Sequence, residues 1–77
     1  MNNTKVYLSH QQRVIAERHE LRIKYTALAY FVRLNPVFDT LDKQEQTLLD
    51  RQSDIMWEYI GVLDERIKSW SSHEAKY

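Results

Sequence analysis

The stretch Leu48–Trp70, LLDRQSDIMWEYIGVLDERIKSW, decides the fold class. Leu49, Met56, Leu63 and Trp70 recur every seven residues, Ile60 and Ile67 fill intervening positions, and Ser53 is the one weak layer. An apolar repeat of this period draws a seam down one face of an α-helix. A second row, Leu48, Ile55, Tyr59 and Val62, makes the stripe wider than one partner helix covers. Upstream, Asp42 precedes Glu45 at capping-box spacing, so the helix is expected from about Lys43 to Trp70.

Further upstream, Asn35-Pro36 marks a helix end, because the residue before proline is pushed out of the α region. A connector, Val37–Leu41, follows. Before the proline, Val14, Leu21 and Leu28 repeat at the same seven-residue period, with Tyr25, Phe31 and Val32 filling the same side. Ser9 and Gln12 have capping-box spacing, and the first long helix is expected over about residues 10–34. Its segment Glu17–Glu20 is wholly polar, the place for a break or a binding surface. With one glycine and one proline in 77 residues, a β-rich fold is excluded. Two long helices on a short connector predict an all-α, antiparallel helical hairpin, one domain over residues 1–77.

So short a chain buries little surface and needs a staple. There is no cysteine for a disulfide, and the three histidines are too scattered for a structural zinc. Self-association remains. With 43% hydrophobic residues, much apolar surface is expected between copies in a homo-oligomer. Trp57, Tyr59 and Trp70 are the expected interface aromatics; the alternative is that Trp57 and Tyr59 loosely cover the hairpin. Met1–Lys5 carries no apolar leader core, and Ala27–Val32 is too short to span a bilayer, so the expectation is a cytoplasmic protein.

The zero net charge hides an asymmetry. Residues 1–35 hold six basic and two acidic residues, a surplus of +4, and residues 36–77 hold five basic and nine acidic, −4. The first half suits an anion; equally, a basic helix can lie beside an acidic one with the charges paired. Catalysis finds no support. His19-Glu20 opens like a zincin motif, but Ile23 stands where the second histidine belongs. Ser9 beside His10 lacks an orienting acid, and no glycine-rich loop cradles phosphate. Polymeric nucleic acid is disfavoured by the neutral charge. No cofactor is implied.

What remains is a basic and aromatic set: Tyr7 just before the first helix, then Arg18, Arg22, Lys24 and Thr26 on it. Arg18 and Arg22 share a face by i, i+4 spacing, and Lys24 projects elsewhere. Base stacking on an aromatic plus cationic contacts to phosphate is the chemistry of nucleotide capture. Arg66 returns toward the start of the first helix in an antiparallel hairpin. Arg18 and Arg22 can equally pair with acids of the second helix, Tyr7 can pack on that helix, and Arg66 can pair with acids of another copy.

The run His10-Gln11-Gln12-Arg13-Val14-Ile15-Ala16-Glu17, then Glu20-Leu21 and Lys24, resembles the start of a family of small bacteriophage hairpin proteins. Phe38-Asp39-Thr40-Leu41, Glu45-Gln46, Leu48-Leu49, Gln52, Met56, Tyr59, Leu63 and Glu65-Arg66-Ile67 extend the likeness over roughly residues 10–70. It is similar to the phage anti-CBASS cyclic-nucleotide sponge family, whose hairpin also occurs in an anti-Thoeris sponge. The resemblance implies a hairpin with a short extra N-terminal helix, assembled into a hexamer in the host bacterial cytoplasm. It implies sequestration of host cyclic oligonucleotide messengers, 3′,3′-cGAMP-like cyclic dinucleotides and also cyclic trinucleotides, without cleavage. On it, Tyr7 stacks on a base, Lys24 contacts phosphate and Thr26 lines the same pocket, in a site between two subunits. Arg22 resembles a basic position of a separate trinucleotide site, and Arg66 the second-helix arginine of a ligand pocket. The competing reading is a helical protein–protein interaction module that inhibits a host protein through the same apolar rows.

Overall fold

The computed structural model describes the backbone of residues 6–74 and the side chains of residues 6–70. Helix α1 runs Ser9–Leu34, a 3-10 turn spans Pro36–Thr40, and helix α2 runs Lys43–Glu74; no strand occurs among the described residues. Cross-helix partners descend in opposite order: Tyr7 and His10 with Trp70, Arg18 with Asp64, Tyr25 with Trp57. The hairpin is therefore antiparallel, a rod of 54 × 22 × 17 Å.

The helix ends follow local chemistry. At the start of α1, the Gln11 side chain accepts the Leu8 backbone N–H at 2.9 Å, and Gln12 Nε2 donates to the Tyr7 carbonyl at 3.0 Å. The Ser9–Gln12 box expected from spacing is thus displaced by one residue: Ser9 is already helical, and Gln11 is the residue that reaches back. Val6–Leu8 are not helical, and the expected extra N-terminal helix otherwise falls on residues 1–5, outside the described residues. Asn35 takes φ −91° and ψ 121°, the extended conformation that proline imposes on its predecessor. Its side chain then accepts the Val37 N–H at 2.9 Å and tightens the turn. Asp42 accepts the Glu45 N–H at 2.8 Å, as its spacing predicted. Gln46 Nε2 bonds the carbonyls of Phe38 and Leu41 at 3.0 and 3.1 Å, tying the turn to α2. Phe31 meets Phe38 edge to face at 6.1 Å, closing that end. Nothing breaks the helix after Trp70, and α2 runs one turn beyond the expected end, to Glu74.

The seam matches the seven-residue rows. Leu49, Ser53, Met56, Ile60, Leu63, Ile67 and Trp70 of α2 face Val14, Leu21, Tyr25, Leu28 and Ala29 of α1, all covered. Full burial is confined to Val14, Ala29, Ile60 and Leu63 among the described residues, with Leu63 at 1% exposure the best covered. The core is one side chain deep on each helix. Leu48, Ile55, Trp57, Tyr59 and Val62 stay exposed, as do Ile23, Tyr30 and Leu34 on the opposite helix. The polar segment Glu17–Glu20 carries no break. Arg18 pairs with Asp64, and the Tyr59 hydroxyl donates to Glu17, while His19 and Glu20 face solvent and α1 stays continuous.

Leu63→Ala is expected to lower stability by about 2–5 kcal/mol, the range for a fully buried leucine. Urea denaturation followed by circular dichroism measures it; a loss below about 1 kcal/mol would show that the seam is not the core.

Candidate functional site

Around α1, positions fall at 100° steps, so residues two apart lie on nearly opposite faces, and Arg22 and Lys24 fall on the two flanks of the seam. Arg18, Arg22 and Thr26, spaced by four, follow one flank. Glu17 and Lys24, spaced by seven, follow the other. On α2, Ile55, Tyr59, Val62 and Arg66 share a row by spacings of four, three and four. Because Tyr59 reaches Glu17, that row borders the Lys24 flank. The hairpin thus carries two chemically different sides.

Two grooves adjoin on the first side. One, of about 520 Å³, is lined by Tyr7, Gln12, Ile15, Ala16, Arg18 and His19. The next, of about 750 Å³, continues along α1 from Arg18 and His19 past Arg22 and Thr26 to Tyr30, over a floor of Ile23 and Ala27. Both fall within the size range of small-molecule sites, and neither is lined by a carboxylate. Arg18 is shared by the two, but its guanidinium is engaged by Asp64. Arg22 makes no ion pair among the described residues and remains exposed. The longer groove is therefore basic at Arg22 and ends on Tyr30, while the shorter one ends on Tyr7 and has its one guanidinium taken by Asp64.

The five residues to which the resemblance gives roles divide between the sides. Tyr7, Arg22 and Thr26 line the adjoining grooves; Lys24 and Arg66 do not. Tyr7 is half-buried, with its ring 6.3 Å from that of Trp70. His10 meets Trp70 edge to face at 6.5 Å, so Trp70 is occupied inside the hairpin end. Trp57 contacts Tyr25 at 5.3 Å yet stays 59% exposed. About 22 Å of helix separates Ser9, beside Tyr7, from Lys24. Sequence reasoning missed His19, Ile23 and Tyr30. Ile23 follows His19 by four and Tyr30 follows Ile23 by seven, steps that run opposite the seam and carry the signal. Among the described residues, no group of three His, Cys, Asp or Glu gathers to hold a metal, and no helix is long and apolar enough to cross a membrane.

An all-helical hairpin with basic, aromatic-ended grooves on one side and an exposed apolar row on the other defines the class of protein. The chain belongs to the Sequestin family, whose model matches residues 8–69. The match spans both helices and the turn, agrees with the sponge-type resemblance, and the family name points to sequestration of a ligand rather than its conversion. No curated protein and no solved structure shows significant similarity to the chain.

The Arg18 and Asp64 side chains are 35% and 45% exposed, so solvent screens their pair. A double-mutant cycle on Arg18→Ala and Asp64→Ala is expected to give a coupling of about 1 kcal/mol or less. Several kcal/mol from that cycle would mean that the pair is desolvated and holds the hairpin together.

Proposed function

We propose that the protein is a sponge that binds a host cyclic oligonucleotide second messenger, without cleaving it, and withholds it from an immune effector. The observation that supports this reading is the pair of adjoining grooves, free of carboxylates, ended by Tyr7 and Tyr30 and carrying the exposed Arg22, on a chain of the Sequestin family. Guanidinium groups match phosphate oxygens, and a tyrosine face stacks on a base. Binding is stoichiometric, so the protein acts by amount rather than turnover. Its setting is the cytoplasm of an infected bacterium.

The sponge works as a homo-oligomer, with the hexamer of the resemblance as the expected form. The exposed row Leu48, Ile55, Tyr59 and Val62 supplies apolar surface for a neighbouring copy. Tyr7 and Lys24 stand too far apart, and on different sides of one hairpin, to touch the same small ring. A ligand held by both takes Tyr7 from one copy and Lys24 from another, with Thr26 and Arg66 added by whichever copy faces the pocket. Arg22, one turn before Thr26, serves a phosphate of a cyclic trinucleotide. Pockets preformed between copies lower the ordering cost of binding.

The same exposed row favours a second reading, an interaction module that lays its apolar face on a host protein. Light scattering separates the two. A multimer that covers the row supports the sponge, and a monomer with the row open supports the module.

Calorimetric titration with 3′,3′-cyclic GMP-AMP and with a cyclic trinucleotide, followed by heating and chromatography of the released ligand, tests the sponge. Saturable binding with intact ligand recovered is expected; cleaved ligand, or no heat with either ring, refutes it. Lys24→Ala is expected to weaken cyclic dinucleotide binding about tenfold or more at unchanged oligomer mass. Unaltered affinity in that variant removes the phosphate contact.

A further inference from the structure

Gly61 lies in the middle of α2, and nothing within the hairpin requires a glycine there. Its φ is not positive, and a Cβ placed on it meets no atom within 4 Å outside its own turn of helix. At an interior helix position glycine lowers the helical equilibrium about fivefold relative to alanine. One turn earlier and on the same side stands Trp57, which touches Tyr25 yet is 59% exposed. Together they form a notch, an indole wall beside bare backbone, on the flank of α2 nearly opposite Tyr59. Bare backbone in a helix centre admits a side chain that approaches closely from outside.

We infer that this notch is the socket for the exposed α2 row of a second copy, so that Ile55 and Val62 of one hairpin pack against Trp57 and Gly61 of the next. The inference rests on the self-association in the sponge reading above, and not on its ligand. Charge identifies the occupant. Asp54, Glu58 and Glu65 stand around the notch, and none of them forms an ion pair among the described residues. The row Leu48, Ile55, Tyr59 and Val62 carries Arg51 and Arg66 beside it, both exposed. An acidic flank with an open tryptophan thus complements a basic flank with open aliphatic side chains. Pairing of like flanks fits worse. An antiparallel two-fold contact that sets Ile55 on Val62 also sets Arg51 on Arg66, and a notch paired with itself brings its acids together. The contact is therefore between unlike flanks, and every copy offers one of each. Such head-to-tail contacts form a ring when the rotation between copies closes.

The test is light scattering of the full chain over a dilution series, on wild type, on Gly61→Leu and on the double variant Ile55→Lys, Val62→Lys. Leucine is the better helix former, so Gly61→Leu is expected to keep or raise helix content by circular dichroism while it fills the notch. Each variant alone is expected to dissociate at a concentration about tenfold or more above that of wild type. Mixed one to one, the two are expected to assemble to a mass above that of either alone, because one keeps an intact row and the other an intact notch. Assembly that Gly61→Leu leaves unaltered overturns the socket and leaves self-association standing. A mixture no heavier than its components overturns the contact between unlike flanks. Helix loss in Gly61→Leu overturns it as well, by showing that the glycine serves the hairpin itself. A wild type that stays monomeric overturns it together with the assembled form of the sponge, and titration of that monomer with 3′,3′-cyclic GMP-AMP decides separately whether ligand binding survives.

Discussion

One interhelical seam carries this molecule. Among the described residues, Val14 and Ala29 on α1 and Ile60 and Leu63 on α2 are the buried ones, and the others on either helix keep part of their surface open. A domain with several layers can lose one contact and repack. A two-helix rod cannot, because each seam residue has neighbours only on the facing helix and along its own. The ends are held by separate devices: Tyr7, His10 and Trp70 at the open end, and Phe31, Phe38 and Gln46 at the turn.

That economy of burial leaves the surface on which the proposed function rests. With one face of each helix in the seam, the remaining faces of α1 are free to carry arginine, histidine and tyrosine at helical spacing. The +4 surplus of the first half lies mostly there, while Asp64 of the acidic half reaches across and takes Arg18. Pairing therefore absorbs part of the charge asymmetry and leaves Arg22 and Lys24 exposed on opposite flanks. The two readings of the asymmetry, anion binding and helix pairing, describe different residues of the same helix.

The apolar residues left outside the seam bear on assembly and on binding together. Leu48, Ile55 and Val62 widen α2 on the Arg66 side, and Ile23 and Tyr30 lie on the far side of α1. In the proposed sponge these surfaces have different fates. The α2 row is covered by a neighbouring copy, and the α1 groove stays open to ligand. Composition supports that division, since the α1 surface carries Arg22 beside Thr26 and the α2 row is mostly apolar.

The sequence by itself determined the two helices, their turn and the residues of the seam. Periodicity of seven, a proline after Asn35 and an Asp42 cap are local features, and local hydrogen bonds and burial periodicity decide them with little help from the rest of the chain. It also carried the family likeness that residues 8–69 bear out. It set the first cap one residue late, since Leu8 and Gln11 build it, and of the two readings of Glu17–Glu20 the break is overturned by a continuous helix. Only the tertiary structure decided that Arg18 is spent on Asp64, 46 residues away, and that Trp70 closes on Tyr7 and His10. Those outcomes depend on the axial register between α1 and α2. The connector geometry and seam packing set that register jointly, and no single helix encodes it.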